Sequence, residues 1–389
     1  MENIIKHFEE VNSRLILNLP SRLRLFYNSI PINKERGAMI YGLRGAGKTI
    51  FLLSRIKNRN FLYFSADNPM IKNVSLYDLV NKVFKSGYDG VVVDEIHFLK
   101  DWPLHIKSLY DDFPGKHIWI SGSSNIAVKK GIADLSRRFV QFHLPLLSFR
   151  EFIYLKTGVI LPVISLFEES KFNSLYSQIK KSNLNIIKLF KEHIQSGIRP
   201  IFVESNYCEK LKSALEKSIF YDVPFYMKEL SEVYLKLMNS IISHLIYSPI
   251  PTINVSNMTS NWSIGKEKLY NILEVMKNIE LIKIIQYKNQ KTTYTKGAKI
   301  FLSDSSIYSC FDGDKGNMRE SYFCNILSVK QYEIYASKNE EEYDYLVNNV
   351  KFEIGGKNKE KKKSDIVISD DIDFPVKNRI PLWLTGMEY

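Results

Sequence analysis

Apolar residues recur at helical spacing near the start of the chain, at Ile4, Ile5, Phe8, Val11 and Leu15, and Pro20 ends the pattern. This predicts one helix and then a basic connector reaching about residue 36. Beyond it, short apolar runs alternate with helical stretches. Ala38–Tyr41, Phe61–Phe64, Gly90–Val93 and His117–Ile120 read as buried strands, with helices over Lys48–Lys57, Leu76–Phe84 and Pro103–Phe113. Such alternation, with strands apolar on both faces, predicts an α/β fold: a parallel sheet with helices on both faces. From Phe149 to about Phe225 the pattern is helical, broken at Ser196–Pro200. From about Tyr226 to Phe301 it reads helix, short helix, helix, then a β-ribbon of Leu281–Gln286 and Thr292–Tyr294 turning at Lys288–Gln290. From about Ser305 a helix around Glu320 is mixed with short strands.

Composition bounds this picture. The 389 residues are 45% hydrophobic and 13% aromatic, enough for packed cores, so wholesale disorder is excluded. At ~150 residues per domain the length predicts two or three domains. No apolar run reaches the ~18 residues of a membrane span. The first ten residues include Lys6, Glu9 and Glu10 and lack a signal core, so the expectation is a cytoplasmic protein with no membrane partner. The net charge of +12 changes little, because only 13 of the 54 basic residues are arginine. Abundant Lys, Ile, Asn, Tyr and Phe also follow from AT-rich codons, and net charge bears on solubility and non-specific binding rather than fold. Cys208, Cys310 and Cys324 are odd in number and lack C-x-x-C spacing, which predicts reduced, buried thiols and neither a disulfide frame nor a zinc site.

The first chemistry lies between the first predicted strand and the next helix. Gly42-Leu43-Arg44-Gly45-Ala46-Gly47-Lys48-Thr49 matches G-x-x-x-x-G-K-[ST], with the strand ending at Tyr41 and the helix beginning near Lys48. Glycines permit the tight turn and let backbone N–H groups approach phosphate, and the helix N-terminus adds partial positive charge. Lys48 is placed to reach the β/γ-phosphates of ATP, and Thr49 to ligate Mg²⁺. Val91-Val92-Val93-Asp94-Glu95 then ends an apolar strand in two carboxylates. Asp94 suits the metal through water and Glu95 suits the attacking water. A Glu beside the metal Asp points to the P-loop ATPase branch (ASCE) whose sheet has an added central strand. After the strand Ile118–Ile120, Ser121-Gly122-Ser123-Ser124-Asn125 offers Ser123 as a γ-phosphate sensor, against a turn that merely favours Ser and Gly. Asp67 follows the second strand as a loop carboxylate.

These residues, with Asp94-Glu95-Ile96-His97, Trp102, Ser121-Gly122-Ser123-Ser124 and Ser136-Arg137-Arg138 leading into Leu147-Ser148-Phe149-Arg150-Glu151-Phe152, carry a family resemblance. The stretch from about Met39 to Phe152 resembles AAA+-type ATPases of the prokaryotic group fused to a winged helix and a restriction-endonuclease-like C-terminal domain of unknown function. In that family a Gly-Arg pair precedes the Leu-Ser-Phe-x-Glu-Phe segment; Arg138 holds the matching place, with Arg137 where Gly is usual. The resemblance implies that Arg138 approaches the γ-phosphate as a finger or sensor, against an ordinary ion-paired surface arginine. Action in trans would require an oligomer. His97 belongs to the same motif, as a packed neighbour of the carboxylates.

The expected domains are 1–160, the ATPase with its N-terminal helix; 161–225, a helical connector; 226–304, a winged helix-turn-helix; and 305–389, a small α+β endonuclease-like domain. In the winged helix, Lys266 and Lys268 would be presented by the recognition-type helix, and Lys288 and Lys291 by the wing. Such lysines contact DNA phosphates, but no arginine marks a base-reading site, and the module serves protein contact equally. In the tail the resemblance implies a nuclease-type site at Glu320, Asp344 and Glu353. The lysine that should stand two residues after the Glu is replaced by Gly355, and the first lysine is Lys357. That departure argues for a degenerate site. Three readings stay open: an ATP-hydrolysing protein driving a C-terminal interaction module, a nucleotide-regulated protein acting on double-stranded DNA, and a slow switch binding a partner protein.

Overall fold

The structure, a computed structural model, describes residues 1–122, 135, 137–226, 232–248, 252, 254–290, 297–359 and 362–389. The chain divides into two compact units. One holds residues 1–145 and 220–229, and the other holds residues 146–219 and 230–389. No helix among the described residues is long and apolar enough to cross a membrane.

The first unit is built on five parallel strands, β1 (Gly37–Tyr41), β2 (Phe61–Ser65), β3 (Gly90–Asp94), β4 (His117–Gly122) and β5 (Val140–His143), in the order β2-β3-β4-β1-β5. Helices α1 (Glu2–Leu17), α2 (Lys48–Ile56), α3 (Leu76–Lys85) and α4 (Trp102–Asp112) accompany it. This is the P-loop fold with an added central strand: β4 lies between β1 and β3, as the paired carboxylates predict. Val91, Val92, Val93 and Trp119 are fully buried, as strands covered on both faces require. Phe8 of α1 stacks on Phe64 of β2 at 5.4 Å. The parallel order brings the C-terminal ends of the strands to one edge, where ligands bind in open α/β sheets.

In the second unit, α5 (Phe149–Thr157) opens with a capping box in which Ser148 Oγ accepts from the Glu151 N–H at 3.2 Å. That box is a physical reason for the Ser-x-x-Glu spacing in this segment. Helices α6 (Phe172–Lys181), α7 (Ile186–Ser196) and α8 (Tyr207–Lys217) follow. His193 sits among Phe149, Phe190 and Tyr322; burial lowers its imidazole to about 3, so the ring is a neutral packing element. Next come α9 (Glu232–Tyr247), α10 (Val255–Trp262), α11 (Lys266–Asn278) and the antiparallel pair β6 (Ile282–Ile285) and β7 (Lys299–Leu302). Strand β7, whose residues are all buried, returns along β6, while the expected strand Thr292–Tyr294 lies outside the described residues. After α12 (Ser306–Cys310) and α13 (Lys315–Val329) comes a mixed sheet of β8 (Ile334–Ala336), β9 (Tyr345–Val347), β10 (Val350–Gly355), β11 (Ile366–Ser369) and β12 (Arg379–Pro381). Strands β8, β9 and β10 are antiparallel and β10, β11 and β12 parallel. Residues 146–150 pair with the last residues of the chain: Ser148 Oγ donates to Tyr389 O at 2.8 Å and Arg150 N to Gly386 O at 3.0 Å. These bonds place the segment after 145 with the second unit, earlier than the expected boundary at 160.

The expectation of three free thiols is corrected. Cys208 on α8 and Cys310 on α12 form a disulfide, with Cα atoms 5.4 Å apart across 102 positions. Cys324 alone is free, and burial pushes its thiol up to about 12. Spacing hides such a bridge because its partners meet only through the packing of two helices. Closing a loop of ~100 residues removes unfolded-chain entropy, so reductant should lower stability by about 3–5 kcal/mol. Chemical denaturation with and without reductant checks this. Cys208→Ser should be insensitive to reductant, and identical transitions for the parent chain would rule the cross-link out.

Candidate nucleotide site

At the carboxyl edge of the first sheet, the loop between β1 and α2 turns through backbone conformations that side chains resist. Gly47, the residue before α2, has φ +99°, and a Cβ on Gly42 would stand 2.3 Å from the Leu144 carbonyl oxygen. Lys48 is buried, its Nζ donating to the carbonyls of Gly42 at 2.9 Å and Leu43 at 3.3 Å. The loop is braced from the connector ahead of β1. Arg24 Nη1 donates to the carbonyls of Ala46 and Pro145, both at 2.7 Å, and the Tyr27 hydroxyl donates to Gly47 O at 2.7 Å.

Thr49 Oγ1 donates to Asp94 Oδ2 at 2.6 Å, and the Tyr63 hydroxyl of β2 donates to the same oxygen at 2.8 Å. Burial, with the Asp94 carboxylate beside it, pushes the Tyr63 phenol well up, so it remains a donor. Ser121 Oγ donates to the other oxygen of Asp94. Asp94 is thus held by β2, α2 and β4 at the edge where the register aligns Ser65 with Asp94 and Tyr41 with Gly122. Glu95 adopts a left-handed backbone, φ +50° and ψ +44°, uncommon for a residue with a side chain. Its N–H lies 3.1 Å from Asp94 Oδ1 and 3.2 Å from Ser121 Oγ. Its Oε2 is buried and accepts no hydrogen bond among the described residues.

His97 Nδ1 stands 3.5 Å from Glu95 Oε2 and its Nε2 3.7 Å from Asp222 Oδ1. Asp222 also takes Arg44 of the loop, at 2.8 Å to Oδ1 and 3.4 Å to Oδ2. Burial alone would raise the Asp222 carboxyl, but the bonds from His97 and Arg44 outweigh it and bring it down to about 2.

Of the residues singled out in the sequence, the structure brings together the loop, Lys48, Thr49, Asp94 and Glu95. Ser123 lies outside the described residues, and the serine that touches Asp94 is Ser121. Arg138 is not brought to this edge. It precedes β5, and its carbonyl lies beside Gly37, the first residue of β1, at the amino edge of the sheet. Its guanidinium is held bidentately by Asp111 of α4, both bonds 2.8 Å. Four residues of strand, roughly 13 Å, separate the edges, so Arg138 does not meet the loop of its own chain. Tyr63 and Asp222 carry no local sequence signal, whereas Ser121 opens the Ser-Gly-Ser-Ser motif. Arg24 and Tyr27 stand in a connector with no motif.

Residues 34–153 match the sequence profile of an AAA domain. No curated protein matches the chain. Among solved structures, a Walker-type ATPase of Pyrococcus abyssi is similar at 12% identity and a TM-score of 0.44, over 76% of this chain and 99% of that one. A RuvB of Thermotoga maritima is similar at 14% identity and TM-score 0.27, over 72% and 88%. A signal transduction ATPase with a tetratricopeptide repeat sensor from Pyrococcus horikoshii is similar at 13% identity and TM-score 0.27, over 77% and 44%.

In the second unit Glu320 and Glu353 are met by ammonium groups, and Asp344 by a backbone N–H. Lys299 Nζ lies 2.8 Å from Glu320, and Lys359 and Lys362 lie 2.9 and 3.0 Å from Glu353. Asp344 Oδ2 accepts from the Ile354 N–H at 2.8 Å. Burial would lower Lys299, but Glu320, Asp344 and Glu340 together hold it above the usual lysine value. The candidate Lys357 is exposed, whereas the side chain of Lys359 fills the space beside Gly355, 2.6 Å from where a Cβ would stand. The bare glycine lets the later lysine lie across β10 onto Glu353. Among the described residues no cluster of three His, Cys, Asp or Glu is arranged to hold a metal ion. Lys266 and Lys268 are exposed at the start of α11, Lys288 Nζ donates to Asn349 Oδ1 at 2.9 Å, and Lys291 lies outside the described residues.

Proposed function

We propose that this chain binds ATP with Mg²⁺ and hydrolyses it, and that its nucleotide cycle controls an interaction module in the second unit. The observation that carries the reading is the contact of Thr49 Oγ1 with the buried Asp94 at the mouth of the glycine loop, with Glu95 next in sequence. The residues fit the ligand. The loop turns on glycines with positive φ at 42, 45 and 47, Lys48 donates to its carbonyls, and Thr49 and Asp94 offer the hard oxygen donors that Mg²⁺ prefers. When bound, Mg²⁺ would neutralise phosphate charge. The backbone N–H groups of the loop and the start of α2 would hold the phosphates, and Lys48 would swing from the carbonyls to them. The Glu95 carboxylate would accept a proton from the water attacking the γ-phosphorus.

Binding is tested with Lys48→Ala. An ammonium–phosphate contact is worth about 1.5–3 kcal/mol, so the Kd for Mg²⁺–ATP should rise about 10- to 100-fold. Calorimetric titration reads this, alongside a melting curve to show the fold intact. An unchanged Kd in a folded variant would overturn the binding site.

A further inference from the structure

Asp222 is separated from Arg44 by 178 positions, in a segment that joins the first unit while the chain on either side of it belongs to the second. Its side chain is 3% exposed and that of His97 is 1% exposed, so His97 is enclosed between two carboxylates, Asp222 and Glu95. Three observations set this apart from an ordinary packed histidine. Glu95 Oε2 is buried with His97 Nδ1 facing it at 3.5 Å. Glu95 adopts a left-handed backbone at the residue that caps the short helical turn Ile96–Phe98, which carries His97. Asp222 is pinned by two bonds from Arg44, a residue of the phosphate loop itself.

We propose that Asp222 is a positioning residue for ATP hydrolysis: Arg44 anchors it, it holds the His97 ring, and the ring sets where the Glu95 carboxylate stands. This rests on the reading of Glu95 as the group that activates water. The spans of 3.5 and 3.7 Å are longer than good hydrogen bonds, and contacts of this kind tighten once substrate is bound. A misplacement of about 1 Å at a reacting group costs on the order of 100-fold in rate. A displaced ring should therefore lower turnover while leaving the phosphate contacts of Lys48 and Thr49 in place.

The test is steady-state phosphate release from Mg²⁺–ATP by Asp222→Asn, His97→Gln and the double variant, with melting curves for each. Asp222→Asn should lower kcat by about 10- to 100-fold with KM changed much less. His97→Gln should do the same, and the double variant should fall no further than either single one. A merely structural role would raise KM and lower the melting temperature together, and its losses would add in the double variant. If Asp222→Asn does not fold, Asp222→Glu keeps the charge for Arg44 on a longer arm and should show the same loss and non-additivity. Wild-type kcat in a folded Asp222 variant, or additive losses, would overturn the proposal. Glu95→Gln runs beside them: full turnover there sinks the hydrolysis reading itself, whereas an inactive Glu95→Gln with an undiminished Asp222→Asn sinks only the role of Asp222.

Discussion

Glu95→Gln is expected to reduce ATP turnover by about 10²- to 10⁴-fold, the usual contribution of a positioned general base, while ATP binding survives. Gln has the size and shape of Glu, so the left-handed turn and the neighbouring His97 are retained. Lys48, Thr49 and the glycine loop are untouched, which is why affinity should stay within a few-fold of the parent. What is lost is the capacity of the Glu95 carboxylate to accept a proton. Phosphate release and nucleotide titration on the same preparation check both halves. Turnover equal to the parent's would remove Glu95 from the mechanism and, with it, the chemical meaning of the paired carboxylates at the end of β3.

A large effect on stability is expected in the second unit, at Arg199→Ala. Arg199 and Asp304 are 2% and 1% exposed, with Nε 2.6 Å from Oδ2. Asp304 Oδ1 also accepts from the Ser306 N–H at 2.9 Å. Removing the guanidinium strands a carboxylate away from water, a loss of about 3–5 kcal/mol. The pair itself is worth far less than that, because desolvating both ions offsets most of their attraction. Arg199→Met combined with Asp304→Asn should therefore recover much of the loss: no charge remains, and the Asn oxygen still accepts from Ser306. Urea denaturation, followed by a probe in the second unit, measures both variants. A single-variant loss below about 1 kcal/mol would mean that water reaches Asp304. The Ser196–Pro200 stretch looks like a simple helix break in the sequence; its Arg199 is one of the largest buried side chains among the described residues.

Much of the nucleotide site is legible in the sequence. The glycine loop, Lys48, Thr49, Asp94 and Glu95 lie where local pattern predicts, because strand, turn and helix are each encoded within a few neighbouring residues. The paired Asp94-Glu95 points to the P-loop branch with an added central strand, and β4 lies between β1 and β3. Differences gather where one side chain must be chosen among similar neighbours. Ser121 meets Asp94 from the end of β4, which continues to Gly122, while the sensor candidate Ser123 lies outside the described residues. Lys359 rather than Lys357 meets Glu353, because the chain folds back across Gly355. Arg138 matches a family position, yet the parallel register places it a strand's length from the loop, on Asp111.

By itself, then, the sequence determined what short-range physics can encode: the buried strands, the phosphate loop and the two carboxylates that follow β3. Tertiary structure alone decided the partners of those groups. Asp222 reaches Arg44 across 178 positions, Arg24 reaches Pro145 across 121, and Cys208 reaches Cys310 across 102. No periodicity relates residues so far apart, since each contact exists only because separate elements pack and bring their side chains to one place. The same holds for the net charge of +12, which predicts nothing about these pairings. What matters at the site is local: one arginine, one histidine and two carboxylates in a line, assembled by the fold from three distant parts of the chain.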